Sequence, residues 1–426
     1  MSTAEDPTAL LAEGRVAEAE SVCERRLATD PDDPVALGIA GLGALRRADA
    51  ARARALLERA AQLTPGDSRA HYHLARALEA GGDLPGALAA DLTAVRLEPG
   101  YALARLHVAL ALERQGEPQQ ALAHFTRALK DAQGSGHWLD AQSTPAALQP
   151  LVEHAVEVVR RERRAYLQQL LEPLIAKYGR GSLERVSAAI RIYLGEQPAA
   201  YPDARQRPTF FYIPGLPTSA YFDRRLFAWL PEYEALYPRI RAELESVLAA
   251  DAAAVRERVF HTSALEAANL RGGAVAPSWD GYYFYRYGER RADNCRACPG
   301  TAAALDALPL IRIRAHGPEV LFSVFTAGTH LLPHRGVTNA RAVSHLPLIV
   351  PPDCALRVGN ETHEWREGRV VVFDDTYEHE AWNRSDRVRV VLIADIWNPH
   401  LGEAERAAIA DCICAIGDLR SLEEQH

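Results

Sequence analysis

Pro31, Pro65 and Pro99 stand 34 residues apart, and that spacing constrains the first third of the chain more tightly than any composition figure. Gly14, Gly82 and Gly116 keep the same register, with Ala48 in the second place, and Ala19, Ala53, Ala87 and Ala121 recur with them. A 34-residue period with a turn glycine, a small residue five positions on and a proline after the second helix is the tetratricopeptide pattern of stacked helix pairs. The small residues let paired helices approach, and the proline ends the second helix where its missing N–H does no harm. Segments 32–65, 66–99 and 100–133 read as three full repeats after a partial one at 5–31. Such an array presents a concave surface for a peptide or partner domain, or acts as a spacer that only packs on its neighbour.

From about 145 to 193 the pattern stays helical without the repeat. Apolar residues recur at three- and four-residue intervals in LVEHAVEVVRRERRAYLQQLLEPLIAKYG (151–179), as a helix capping the last repeat requires. Pro198, Pro202 and Pro208 then break a polar stretch, marking a boundary. Beyond FFYIPGLP and an amphipathic helix over roughly 222–250, strand signals fall near 319–326, 341–349, 355–359, 368–374 and 387–396. Short strands at this spacing predict a sandwich or jelly roll. The expected fold is therefore multidomain: an all-α tetratricopeptide solenoid (1–135), a helical capping and linker region (136–205) and a jelly-roll domain (206–426).

Composition narrows the class. The net charge of −8 argues against nucleic acid as the main partner. MSTAEDPTALL has neither a basic start nor an apolar signal core, and no run approaches the length of a spanning helix, so a cytoplasmic protein without a membrane segment is expected. Cys295 and Cys298 form a CxxC with no second pair to complete a zinc site, and reduced thiols are expected.

Seven of the 15 histidines fall between 316 and 400. His334 is expected in a turn after a strand, and His379 follows the acidic turn Asp374-Asp375-Thr376-Tyr377-Glu378. Two histidines beside strands suit a metal, though either alone is more often structural. Arg389 lies in the apolar strand RVRVVLIADIW, where an inward charge is expensive unless paired. There it could capture a carboxylate in bidentate fashion, or pair with Asp395 or Asp374. Arg387 shares its parity, so alternation does not choose between the two. Asp374 and Asp375 could orient His379 or simply cap the turn. The common non-haem iron triad has a carboxylate two residues after the first histidine, whereas His334-Arg335-Gly336 offers a glycine there.

HRGVTNARAVSHLPL (334–348) and FDDTYEHEAW (373–382), with Pro214-Gly215-Leu216, Gly328-Thr329-His330 and DIWNP (395–399), resemble the aspartyl/asparaginyl β-hydroxylase family over roughly 208–400. The resemblance implies a double-stranded β-helix oxygenase dependent on Fe(II), 2-oxoglutarate and O₂, with succinate and CO₂ as coproducts. It implies that His334 and His379 ligate iron, and that Gly336 belongs there because the family dispenses with the carboxylate. Arg389, helped by Ser323, would hold the distal carboxylate of 2-oxoglutarate. His345 would meet the carboxylate beside the keto group, and Trp279 would line the pocket. Arg341 is expected to contact a carboxylate-bearing substrate, an Asp or Asn side chain in a peptide or protein, or an amino-acid-like molecule, with the tetratricopeptide groove available to present it.

Two departures limit what carries over. Val343 stands where animal members have an arginine, and no counterpart of their membrane anchor is expected, so their compartment and disulfide-rich substrates are not carried over. Two rival functions follow from the same residues. The glycine at 336 could leave room for chloride on iron, as in a halogenase, or the jelly roll could be a catalytically inactive relic on a repeat scaffold.

Overall fold

The computed structural model describes residues 6–249, 257–260, 262–272 and 277–425, the side chains at 263 and 419–425 excepted. The chain forms two compact units, residues 1–163 with 420–426, and residues 164–419.

The first unit is the repeat array. Its helices are α1 (Pro7–Ala12), α2 (Val16–Thr29), α3 (Pro34–Arg46), α4 (Ala50–Leu63), α5 (Ser68–Ala80), α6 (Leu84–Leu97), α7 (Ala102–Arg114) and α8 (Pro118–Gly134). The periodic residues do what their spacing implies. Gly14, Gly82 and Gly116 turn the chain at φ of +74°, +83° and +80°, while Ala48 is forced to +58° in the same role. Ala19, Ala53, Ala87 and Ala121 are all buried where helices meet. Asp33, Asp49, Asp67 and Asp83 cap α3 to α6 by accepting first-turn backbone N–H groups, each worth about 1 kcal/mol. Val152, Ala155 and Val159, early in the helix Gln149–Tyr178, join Leu106, Phe125 and Leu129 in one core. The residues expected to cap the last repeat thus divide, with Val152–Val159 packed on it and Leu167–Ile190 in the second unit's core.

In the second unit, the later part of that helix contributes Leu167 and Leu171 to a core with Val186, Phe211, Ile213, Ile409 and Ile413. Where one amphipathic helix was expected over 222–250, the chain forms a 3₁₀ turn (Arg224–Leu226) and two helices, Leu230–Ala235 and Tyr237–Ala249. Pro238, the second residue of the latter, cannot supply the N–H that would continue the first. Residue 250 lies outside the described residues.

Strands follow: β1 (Glu257–Arg258), β2 (Leu270–Arg271), β3 (Trp279–Arg286), β4 (Glu289–Arg290), β5 (Val320–Phe325) and β6 (His330–His334). The remaining six are β7 (Arg341–Ile349), β8 (Cys354–Val358), β9 (Glu361–Glu364), β10 (Val371–Phe373), β11 (His379–Asn383) and β12 (Arg389–Trp397). One antiparallel sheet runs β1-β3-β5-β12-β7-β10, with β4 on β3, and the other runs β2-β6-β11-β8-β9. This is the expected jelly roll. Period-two alternation gives each strand two jobs. On β12, Val390, Leu392, Ala394 and Ile396 pack outward in a core that includes Phe284, Leu305 and Phe322. Arg389, Ile393 and Asp395 face a cavity instead.

Candidate active site

The cavity is about 280 Å³ and opens between the two sheets. The smaller sheet supplies a pair of histidines. His334 ends β6 and His379 begins β11, directly opposite each other in the antiparallel register, with ring centroids 4.1 Å apart. His334 is thus the last residue of a strand instead of a turn residue. The Nδ1 atoms lie 2.9 Å from the Leu332 carbonyl and 3.0 Å from the Tyr377 carbonyl. Each Nδ1 is therefore the protonated nitrogen, and each Nε2 keeps its lone pair for another partner. Burial lowers the His334 pKa, and burial together with His334 pushes His379 down to about 4, so both rings are neutral at pH 7. That is the donor set a divalent transition metal takes. Among the described residues, no third His, Cys, Asp or Glu joins them in a metal-binding group. The orienting group of His379 is the Tyr377 carbonyl. Asp374 instead accepts from Gln206 and Thr376, and Asp375 from Arg341.

Glycine is required at 336. A Cβ there would sit 2.2 Å from Cγ of Asp375, whose carboxylate fills the direction a side chain would take. Asp375 in turn receives Arg341 Nη2, while Arg341 Nη1 donates to Asp395 Oδ2 at 3.1 Å. Arg341 lines the cavity, with both terminal nitrogens engaged by Asp375 and Asp395.

The larger sheet supplies the opposite wall. Arg389 opens β12 and is 1% exposed, whereas Arg387 precedes the strand and is exposed, which resolves the ambiguity of parity. The guanidinium lies 3.8 Å from the Phe325 ring centroid and 4.5 Å from that of Trp365. Its hydrogen bond to Ser323 Oγ is long, at 3.4 Å, and Nε has no partner. Among the described residues no carboxylate pairs with it, neither Asp395 nor Asp374. Burial pulls its pKa down to about 9. Trp279 Nε1 donates to Ser323 Oγ at 3.0 Å. His345, one strand over on β7, is buried with Nδ1 unpartnered, and burial with Arg389 nearby holds its pKa well below the usual value. The fold thus brings Arg389, Ser323, Trp279 and His345 to one end of the cavity.

Sequence reasoning missed Trp365, whose unpartnered Nε1 and ring flank the arginine from the loop after β9. Its only signal was a lone tryptophan among charged residues. Of the clustered histidines, only His334, His345 and His379 line the cavity. At or beside it, Arg389 Nε, His345 Nδ1, Trp365 Nε1, Asp375 Oδ1 and Arg341 Nε are all buried without a hydrogen bond. Native interiors leave few such atoms, so this concentration marks a place built for a polar ligand.

Known proteins give this site relatives. The family profile described as "Aspartyl/Asparaginyl beta-hydroxylase" matches residues 234–399. The chain is 37% identical over 181 residues to the ornithine lipid ester-linked acyl 2-hydroxylase of Rhizobium tropici, covering 42% of this chain and 60% of that one. It is 35% identical to human aspartyl/asparaginyl beta-hydroxylase over 132 residues, 31% of this chain and 17% of that protein. It is 32% identical over 256 residues to mouse aspartate beta-hydroxylase domain-containing protein 2, covering 58% of this chain and 70% of the relative. No described helix is long and apolar enough to cross a membrane.

Proposed function

The chain belongs to the aspartyl/asparaginyl β-hydroxylase family, and from that premise we propose that it is an Fe(II)- and 2-oxoglutarate-dependent dioxygenase hydroxylating a carbon next to a carbonyl group. The observation that carries the cosubstrate is Arg389. A buried guanidinium without an anion costs several kcal/mol, and a carboxylate delivered by a ligand removes that cost while accepting two charge-assisted hydrogen bonds. Ser323, positioned by Trp279, adds a hydroxyl beside it. His345 offers its unpartnered ring nitrogen to the second carboxylate of the same molecule.

His334 and His379 would hold the iron through Nε2, their tautomers fixed by the carbonyls behind them. When bound, iron and 2-oxoglutarate supply the redox chemistry: O₂ gives one oxygen atom to succinate and one to the substrate C–H, with release of CO₂. The protein's own part is to orient and to exclude water. Leu331, Leu356, Phe373 and Ala381 wall the cavity and keep solvent from the reacting atoms. The halogenase alternative needs room beside Gly336, and Asp375 fills it with a negative charge that opposes chloride.

The substrate reading rests on the relatives' names. An acyl 2-hydroxylase and an aspartyl/asparaginyl β-hydroxylase both oxidise the carbon adjacent to a carbonyl. We extend that regiochemistry to this chain, acting on an Asp- or Asn-type side chain of a peptide or a related amino-acid-like molecule. Anaerobic titration with Fe(II) and 2-oxoglutarate tests the proposal. A metal-to-ligand charge-transfer band is expected in the wild type and absent in His379→Ala. No band and no succinate from the wild type would favour the inactive scaffold.

A further inference from the structure

Arg389 is a cation without a carboxylate partner at one end of the cavity; the other end holds a carboxyl group, Glu319, without an ion-pair partner among the described residues. Glu319 precedes β5 on the cavity-facing side, in phase with Leu321, Ser323 and Phe325, all of which line the cavity. Four residues of extended chain place it about 13 Å along the strand from Ser323. Its backbone is fixed on both sides of Asp395: its N–H donates to Asp395 Oδ2 at 3.1 Å and its carbonyl accepts the Asp395 N–H at 3.1 Å. One carboxylate oxygen accepts the Tyr287 N–H. No cation among the described residues pairs with it, because the nearby guanidiniums are committed elsewhere, Arg286 to Glu257 and Arg341 to Asp375 and Asp395. Burial pushes its carboxyl up to about 7 and Asp395 adds to the rise, while the Tyr287 N–H, Arg286 and Arg341 oppose it. Tyr283, Leu321 and Ile393 line the same cavity, and Asp395 and Arg341 stand near it as a buried ion pair.

Resting on the dioxygenase reading above, we propose that Glu319 is the specificity-determining residue of the substrate end, and that the substrate presents an ammonium group to it. Both terminal nitrogens of Arg341 are engaged by two buried aspartates, which offset its charge toward a substrate carboxylate. The substrate class is thus an amine-bearing amino-acid derivative or peptide whose ammonium lies across the cavity from the cosubstrate end.

Calorimetric titration of the full chain with n-pentylammonium, n-pentanol and pentanoate tests this, with and without saturating 2-oxoglutarate. The three probes share one tail and differ only in the charge of the head. The ammonium is expected to bind at least about tenfold more tightly than the alcohol, as one charge-assisted hydrogen bond allows. Glu319→Gln keeps the shape and can still accept the Tyr287 N–H; it should reduce that preference to within about twofold and leave 2-oxoglutarate binding unchanged. Absence of ammonium binding, parity with the alcohol, or survival of the preference in Glu319→Gln overturns the assignment. Failure of 2-oxoglutarate to bind would sink the dioxygenase reading instead, and the two outcomes are read from separate titrations.

Discussion

Replacing Arg389 with methionine should make the ligand-free protein more stable and at the same time all but abolish its response to 2-oxoglutarate. The guanidinium pKa falls from 12.5 to about 9 on burial, which corresponds to about 5 kcal/mol against keeping the charge in place. That cost is fully present below the folded value near 9 and is relieved only as the pH rises toward 12.5, so it applies in full at pH 7. Stacking on Phe325 and Trp365 returns about 1–2 kcal/mol per ring in a desolvated site. Methionine fills the slot without the charge, and a net gain of about 1–3 kcal/mol follows. The loss on the binding side is larger. Two charge-assisted hydrogen bonds amount to about 3–5 kcal/mol, or roughly 10²–10⁴ in Kd. Urea unfolding with and without 2-oxoglutarate reads both signs. The wild type should gain about 2.7 kcal/mol at a ligand concentration of 100 Kd, and the variant at most about 0.4 kcal/mol at the same concentration. A variant destabilised without ligand, yet still stabilised by 2-oxoglutarate, would show that Arg389 is a structural residue and refute the reasoning.

Gly336→Ala should cost about 2–4 kcal/mol in urea unfolding, since its Cβ would overlap Asp375 and displace one of the two carboxylates that hold Arg341; Asp375→Gly in the same chain should recover part of that loss. Gly336→Asp should not raise iron affinity in an equilibrium metal titration, because the added carboxylate has no room to turn toward the histidines. Metal-free protein should lose stability as the pH falls from 7 to 5. The folded His379 pKa, about 4, lies below the ordinary 6.5, so the unfolded chain takes up the proton first and this residue alone contributes about 2 kcal/mol of loss. A slope unchanged in His379→Gln would contradict it. Ala48→Gly should stabilise the solenoid by about 0.5–1 kcal/mol, because it relieves a left-handed alanine, φ +58°, at the turn that the other repeats give to glycine; a lower unfolding midpoint would count against this.

The two halves of the chain were unequally legible. The solenoid's information is local: proline, glycine and alanine at fixed offsets specify turn, cap and helix contact, and the helix ends fall where the period puts them. In the jelly roll, strands with long apolar runs, such as Arg341–Ile349 and Arg389–Trp397, showed themselves, whereas His330–His334 and His379–Asn383 did not. Those two carry the histidines, are only five residues long, and hold a proline (Pro333) and a polar pair away from the cavity, the Glu380 carboxylate accepting from His330 and Arg357. A strand so short and so polar does not show the alternation that identifies a strand. Trp365 and Glu319 were invisible for a different reason. Each lies just outside a strand, and only the meeting of distant segments gives it a role.

The position of Asp375 explains how a two-histidine site can still be orderly. A carboxylate two residues past the first histidine would place a negative charge directly on the metal. Here that side chain is deleted at Gly336, and a carboxylate from the turn before β11 occupies the same volume, with its charge turned toward Arg341. Arg341 is itself tied to Asp395 on the neighbouring strand β12, so Asp375, in the turn before β11, is joined to two strands of the larger sheet beside the cavity. The buried ion pairs of Arg341 with Asp375 and Asp395 occupy that place beside the histidine pair. Such a tie carries a consequence: Arg341→Met should loosen both ends together, weakening iron and 2-oxoglutarate binding in parallel although the residue is assigned to neither, and leaving two buried aspartates at a cost of about 3–5 kcal/mol. Equilibrium titrations of each ligand on that variant distinguish the tie from a substrate contact, which would leave both affinities at their wild-type values.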